Sequence, residues 1–492
     1  MRVEKFTIKD TVHLGFIVFF LLMMGMLVNR YYLLGEAQDL EITTQGMGEV
    51  QSEAGWYGIY LNKQKIGYSA TTVVRQDSFY ISTDRSFMAF TMLGRKQAVN
   101  TYARAVTDDK MRLLSFIFTI TGKETDFSVR GNVEDKWLNL EITMAGESRT
   151  EKVRIEEPPQ LPSTVTMLIN QRELKAGDRF KTVVFDPTSM SNRPLEIEVA
   201  GREEIPHRGE KTEVWHVRQF MAGMKVDSYI DNEGRLLEER SEMGYRLVLE
   251  DESMARLGDW KEKGTDIQKL VAVTPEGSLK APRTLTRLLV KLSGMGENAF
   301  GLDGGCQSYE SGVLEVRSLE PGPGRTDTLP TVVREVNTGP SAFVQSEHPK
   351  LLALIAGLID LDDSLEEKIR TIVRWLNANI RQKPTFSIPN TLEVLERRSG
   401  DCNEYAVLFC SMARAAGIPT RIAMGLVYVD GVFYYHAWNE CFLGEWIAVD
   451  PIFDQFPADA THLRFLAGDM DRQVEILPLV GRVEIRILDF GS

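Results

Sequence analysis

From Leu14 to Val28 every residue is apolar or glycine (LGFIVFFLLMMGMLV), and no other stretch of the chain matches this run in length. Fifteen residues of helix rise about 22 Å, short of the ~30 Å hydrocarbon core of a bilayer. Extended to Thr11–Leu34 the segment is long enough, and Tyr31 and Tyr32 suit a membrane interface. Arg2, Lys5 and Lys9 precede the run, whereas Glu36, Asp39 and Glu41 follow it. This asymmetry predicts a cytoplasmic tail over 1–10, a single transmembrane helix over 11–34, and the bulk of the chain on the periplasmic side of the inner membrane. A cleavable signal peptide is the competing reading, with Gly35 and Ala37 at −3 and −1. Both readings export the remainder.

Between 48 and 255 the pattern changes to short runs with period two, broken by Gly, Asn and Asp. Trp56–Leu61, Ala70–Arg75, Phe79–Ser82, Leu113–Thr121, Lys136–Ile142 and Glu213–Gln219 read as strands. Asp231-Asn-Glu-Gly234 between Val226–Ile230 and Leu236–Arg240 reads as a hairpin. An antiparallel β-rich domain is expected, with a break near Glu157-Pro158-Pro159. A smaller β region over 265–340 follows, with strands Leu285–Leu292 and Val313–Ser318 and a Pro/Gly linker after Glu320.

Helical spacing appears only in the last third. Ser364-Leu-Glu-Glu367 is a capping box before Ile369, Ile372, Val373, Leu376 and Ile380. A second, shorter helix starts at Asn390. A third covers Asn403–Ala416 and ends at Gly417 with Pro419 beyond. Strands Arg421–Val429, Phe433–Phe442 and Trp446–Val449 come next, and a C-terminal strand lies within 476–492. Helices followed by an antiparallel sheet give an α+β fold class for the chain.

Composition narrows the field. The 492 residues carry 57 basic and 70 acidic side chains, a net charge of −13, which disfavours nucleic acid as a partner. Mean hydropathy is −0.18, so the apolar N-terminal run is a local exception. Four cysteines (Cys306, Cys402, Cys410, Cys441) are too few for a disulfide scaffold of this size, and six histidines are few for a metal centre.

Chemistry concentrates in 345–475. Gly400-Asp401-Cys402-Asn403 puts a cysteine at the start of a helix, where free N–H groups and the helix dipole favour a thiolate. Such a nucleophile needs a base and an orienting group. A turn centred on Leu443 would set His436 directly opposite Asp450 on one face of a hairpin, within hydrogen-bonding reach. Trp438 and Glu440 share that face, whereas Cys441 points the other way and Cys410 falls in an apolar helix stretch. A zinc site from Cys402, His436 and Asp450 is the alternative for these residues. His207, His216 and Cys306 lack partners at useful spacing.

Ser399-Gly-Asp-Cys-Asn-Glu-Tyr-Ala, Ala413-Arg-Ala-Ala-Gly-Ile-Pro-Thr-Arg421, His436-Ala-Trp438 and Trp446-Ile-Ala-Val-Asp-Pro451 occur in order. Over about residues 345–470 this pattern resembles the transglutaminase-like superfamily. The resemblance implies a papain-like fold with Cys402 as nucleophile, His436 as base and acid, and Asp450 as orienter. It implies acyl transfer from an amide through a thioester, to an amine or to water, without metal or organic cofactor. Phe453–His462 resembles the continuation found in bacterial members, where His462 either borders the cleft or, as the plainer reading, has a structural role. Trp375 is available as an oxyanion-hole donor. A protein or peptide substrate, from the envelope or the cell wall, is the expected partner. The rival is a catalytically silent binding or scaffold protein that uses the β region.

Overall fold

A computed structural model of the protein describes residues 52–492 except 62, 93–94, 123–125, 145–146, 171–172, 222, 243, 259–270, 296–299, 322–329, 361 and 384–387. The expected membrane helix over 11–34, the tail before it and the signal-peptide alternative lie outside the described residues. No helix among the described residues is long and apolar enough to cross a membrane. The described chain divides at residue 265 into two compact units.

The first unit holds one fourteen-stranded antiparallel sheet. Eight strands, from Ser52–Leu61 to Glu147–Arg154, pair each with the next. Six more, from Arg179–Asp186 to Tyr245–Glu250, do the same, and the two meanders join where Ser52–Leu61 pairs with Tyr245–Glu250. Alternation in the sequence becomes alternation in burial. Along Trp137–Met144 the even positions Leu138, Leu140, Ile142 and Met144 are buried while their neighbours face outward. Phe118 meets Phe127 at 6.2 Å and Phe116 meets Phe185 at 5.5 Å, so residues from both meanders share one core. Two-residue turns such as Asp77-Ser78 and Asp135-Lys136 reverse the chain, each beginning with a left-handed aspartate (φ 53° and 54°).

This sheet corrects the sequence-based fold class. The chain is not α+β but mostly β, because strands of six to seventeen residues fill the first unit where the sequence suggested runs of four to nine. Those runs are only the most apolar parts of each strand. The ladders continue through polar residues whose side chains face solvent while their backbones stay paired.

The second unit combines two four-stranded sheets and one two-stranded sheet with the helices. Gln307–Glu310 pairs with Val313–Arg317, which pairs with Arg287–Ser293, and the far side of Arg287–Ser293 takes the C-terminal strand Glu484–Gly491, about two hundred residues further along the chain. Helix Leu365–Asn379 is capped by Ser364 and Glu367 and buries Ile369, Ile372, Val373 and Leu376. Helix Cys402–Ala415 is almost wholly buried and packs on a sheet ordered Trp446–Val449, Val432–Phe442, Thr420–Val429, His462–Gly468.

The last of these pairings depends on Gly425. A Cβ there would lie 1.9 Å from the Leu463 carbonyl oxygen, a backbone atom that cannot rotate away. Gly425 also sits opposite His436 in the sheet. Gly425→Ala is expected to destabilise this unit by about 1–3 kcal/mol. Differential scanning calorimetry should show a lowered transition for the second unit and an unchanged one for the first.

Candidate active site

Cys402 is the first residue of its helix and is 1% exposed. Its position is fixed from three directions. Asp401 caps the helix by accepting from the Asn403 N–H (2.9 Å), and the Asp401 N–H donates to Glu404 Oε2 (3.0 Å). Asp401-Cys-Asn-Glu404 is thus a capping box, a further signal carried by the sequence itself. The preceding Ser399-Gly400 pairs in parallel with Arg381-Gln382, and Lys383 donates to the Gly400 carbonyl at 2.9 Å. One turn into the helix, the Ala406 carbonyl accepts from Asn439 Nδ2 (3.0 Å), which ties the helix to the strand that bears His436.

His436 and Asp450 meet: Nε2 lies 2.7 Å from Oδ2, and neither side chain reaches solvent. Their register differs from the sequence expectation. The turn centres on Gly444 (φ 101°), so Phe442 pairs with Trp446 and Asn439 with Val449. Extending that register sets Asp450 across from Trp438, diagonal to His436. Moving the turn centre by one residue shifts the register by two, which preserves the face. Asp450 also bends back into the site: its Oδ1 accepts from the N–H groups of Ile452 (3.0 Å) and Phe453 (3.3 Å).

Asp450 has a second imidazole. His462 Nε2 lies 2.9 Å from the same Oδ2. His462 Nδ1 lies 2.9 Å from the Asp459 carbonyl and 3.5 Å from Asp459 Oδ1. Asp459 is in turn paired with Arg283 Nη1 at 2.7 Å. Aromatic rings close the pocket: Trp438 stacks on His436 at 6.0 Å and Phe453 lies 5.5 Å away.

Burial pushes His436 below the usual imidazole range; Asp450 opposes this, while His462 and Arg283 add to it. Burial would also lower His462, but Asp459 and then Asp450 outweigh it and carry His462 up to about 9. Burial alone would raise Asp450 and Asp459. For Asp450 the two imidazoles, and for Asp459 the His462 imidazole and Arg283, hold the carboxyl well below its ordinary range. Two imidazoles on one carboxylate are thereby driven apart, with His436 neutral and His462 charged at neutral pH. Asp450, Asp459, His462 and Arg283 then balance in charge, as buried ions must.

His436 Nδ1 is buried and has no hydrogen-bond partner among the described residues. The ring therefore offers one engaged nitrogen and one available nitrogen. The other three cysteines are free thiols with evident packing roles. Cys306 Sγ lies 3.2 Å from the Trp446 carbonyl and Cys410 Sγ 3.6 Å from that of Thr420, and burial pushes both thiols up to about 12. Cys441 contacts Thr420 Oγ1, and burial raises it as well. Trp375 lies under the Arg398 guanidinium at 4.9 Å. His216 bonds to Asp227 at 2.7 Å.

Among the described residues the cluster able to converge on a cation is His436, Asp450 and His462, whose ligand atoms lie within 4.8 Å of one another. Cys402, expected in the zinc alternative, is not part of it. Both Nε2 atoms are directed at one carboxylate oxygen, an arrangement of N–H donors rather than of free lone pairs. The sequence left His462 either at the border of the cleft or, more plainly, in a structural role, and singled out neither Asp459 nor Arg283. Asp459-Ala-Thr461-His462, an Asx turn ahead of a strand, is a local signal for the first two. Arg283 had none.

Residues 353–451 match the family model of the transglutaminase-like superfamily, and this stretch is a transglutaminase-like domain. No curated protein matches the sequence. Among solved structures the chain is similar to a β-barrel-like protein of a family of unknown function from Brucella abortus (12% identity, 41% of this chain and 98% of that one, TM-score 0.31). It is also similar to a candidate cysteine protease from Cytophaga hutchinsonii (16% identity, 45% and 86%, TM-score 0.28). A third is a candidate protease from Parabacteroides distasonis (11% identity, 53% and 64%, TM-score 0.19).

The electrostatics set a pH dependence of stability. His462 titrates higher folded (about 9) than unfolded (~6.5), so its contribution is complete below ~6.5 and lost as pH rises through about 9. The lowered carboxyls of Asp450 and Asp459 contribute above ~4 and lose that contribution on further acidification. Thermal unfolding of the second unit should therefore weaken on both flanks, and His462→Gln should flatten the alkaline flank.

Proposed function

We propose that the chain is a thiol enzyme in which Cys402, His436 and Asp450 cleave an amide through a thioester. The observation that carries the proposal is the His436 ring, whose Nε2 is bound to buried Asp450 while its buried Nδ1 is unpartnered. In this reading Nδ1 takes the Cys402 thiol proton as sulfur attacks the amide carbonyl. The proton then passes to the departing amine as the C–N bond breaks and leaves a thioester. In the second half, Nδ1 removes a proton from water or an acceptor amine, that nucleophile attacks the thioester, and the Cys402 thiol is regenerated. Asp450 keeps the ring oriented and the proton on Nε2.

Peptide or isopeptide bonds of envelope proteins, or of the cell wall, are the proposed substrates. Hydrolysis is slightly favoured over transfer to an amine, because water is abundant and no acceptor site is legible. An extracytoplasmic location is supported by the charge asymmetry around the apolar run at 14–28.

Two experiments test this. Incubation with a peptide-amide donor and a tagged amine should release free acid, with tag incorporation if transfer competes, and Cys402→Ala should abolish both. Iodoacetamide at neutral pH should label Cys402 ahead of Cys306, Cys410 and Cys441, and His436→Ala should slow that labelling by about 10²-fold. Labelling indifferent to His436 would instead favour a silent binding protein.

A further inference from the structure

Asp450 binds two imidazoles, and His462, the one that makes no direct contact with the thiol chemistry, is buried as well. His462 is 3% exposed and both of its ring nitrogens face oxygen acceptors that cannot donate: the Asp450 carboxylate at 2.9 Å and the Asp459 carbonyl at 2.9 Å. A neutral imidazole would meet one of them with a lone pair. Only the doubly protonated ring satisfies both, so the hydrogen bonds favour a cationic His462, and the Asp459 carboxylate beside it holds that charge in place. The surrounding charges agree. Asp459 Oδ1 lies 3.5 Å from Nδ1, and the other Asp459 oxygen is held by Arg283 at 2.7 Å.

We infer that His462 is a positioning residue of the thiol centre: an imidazolium that grips Asp450 Oδ2 beside His436 and keeps the His436 imidazole neutral, ready to accept a proton. This rests on His436 being the base, as proposed above. The ring centroids of the two histidines are 6.0 Å apart, close enough for one positive charge to oppose another strongly in a dry site. His462 also shares the oxygen that would otherwise serve His436 alone, which weakens the hold of Asp450 on a His436 proton. Both effects lower the His436 pKa further, in addition to burial, its main cause. The charged groups facing the pair are Asp450 after the Trp446–Val449 strand, Asp459 ahead of the His462 strand, and Arg283 from the turn Pro282–Thr284.

Asp459 and Arg283 extend the device outward. Asp459 also accepts from Gln455 Nε2 and Thr461, and Arg283 bonds the Tyr428 carbonyl, which fixes the chain of charges to the sheet. His436 thus sits at the inner end of a relay whose charge alternates from Arg283 through Asp459 and His462 to Asp450.

The test is imidazole titration by ¹H–¹⁵N NMR on protein with labelled histidine, practicable because the chain has six. In the unmodified protein His462 should remain protonated at pH 7.5 while His436 is neutral. His462→Gln should raise the His436 midpoint by about one to two pH units. Asp459→Asn, which leaves both rings in place, should shift His436 in the same direction by discharging His462. A purely structural His462 would change the melting temperature and leave the His436 midpoint where it was. That unchanged midpoint, or a neutral His462 at pH 7.5, overturns the inference. If neither variant folds, the order of titration in the unmodified protein decides. None of these readings requires Cys402 to turn over a substrate, so they stand apart from the iodoacetamide and amide assays.

Discussion

One carboxylate oxygen, Asp450 Oδ2, accepts hydrogen bonds from two histidines in a region closed to solvent. An unpaired carboxylate in such a place would cost several kcal/mol, so much of the second unit serves to compensate it. The backbone after the Trp446–Val449 strand turns to give Oδ1 two N–H donors. The loop before His462–Gly468 supplies Asp459, and a turn far upstream in sequence supplies Arg283. Remove any of these and a charge is stranded in a nonpolar box walled by Trp438 and Phe453.

That constraint explains the uneven legibility of the chain. The elements around the site could be read because each is governed locally: the Ser364 cap, the Gly417 stop and the alternation along 432–442 all act within a few residues. His436 and Asp450 were found from parity, and parity survived the misplaced turn. What the sequence does not carry is the convergence of these groups by tertiary folding. His462 approaches from the edge strand His462–Gly468, beyond Thr420–Val429, and Arg283 from about 180 residues before Asp459. No spacing rule reaches across such gaps.

In the first unit the strands run longer than their apolar runs for a different reason. Reading strands from apolar alternation finds buried faces, not ladders. Strands such as Ser191–His207 run on through Arg202, Glu203 and Glu204, whose backbones pair with Trp215, Val214 and Glu213 though their side chains are polar. Hydrogen bonding between backbones, blind to side-chain polarity, made the sheet far larger than its hydrophobic signal.

The join between the two meanders also bears on how that sheet forms. Every other neighbour along it is also a neighbour in sequence, so those hairpins close over short loops and can zip in either direction at little entropic cost. The seam of Ser52–Leu61 with Tyr245–Glu250 brings together segments at opposite ends of the unit. Closing it first would mean ordering a very long loop, whereas closing it after both meanders exist joins two finished edges. The kinetics of this unit are therefore set by one encounter. Until it happens, each half-sheet presents an unpaired strand at what will become the centre, and this is where a stalled chain would pair with the wrong copy of itself.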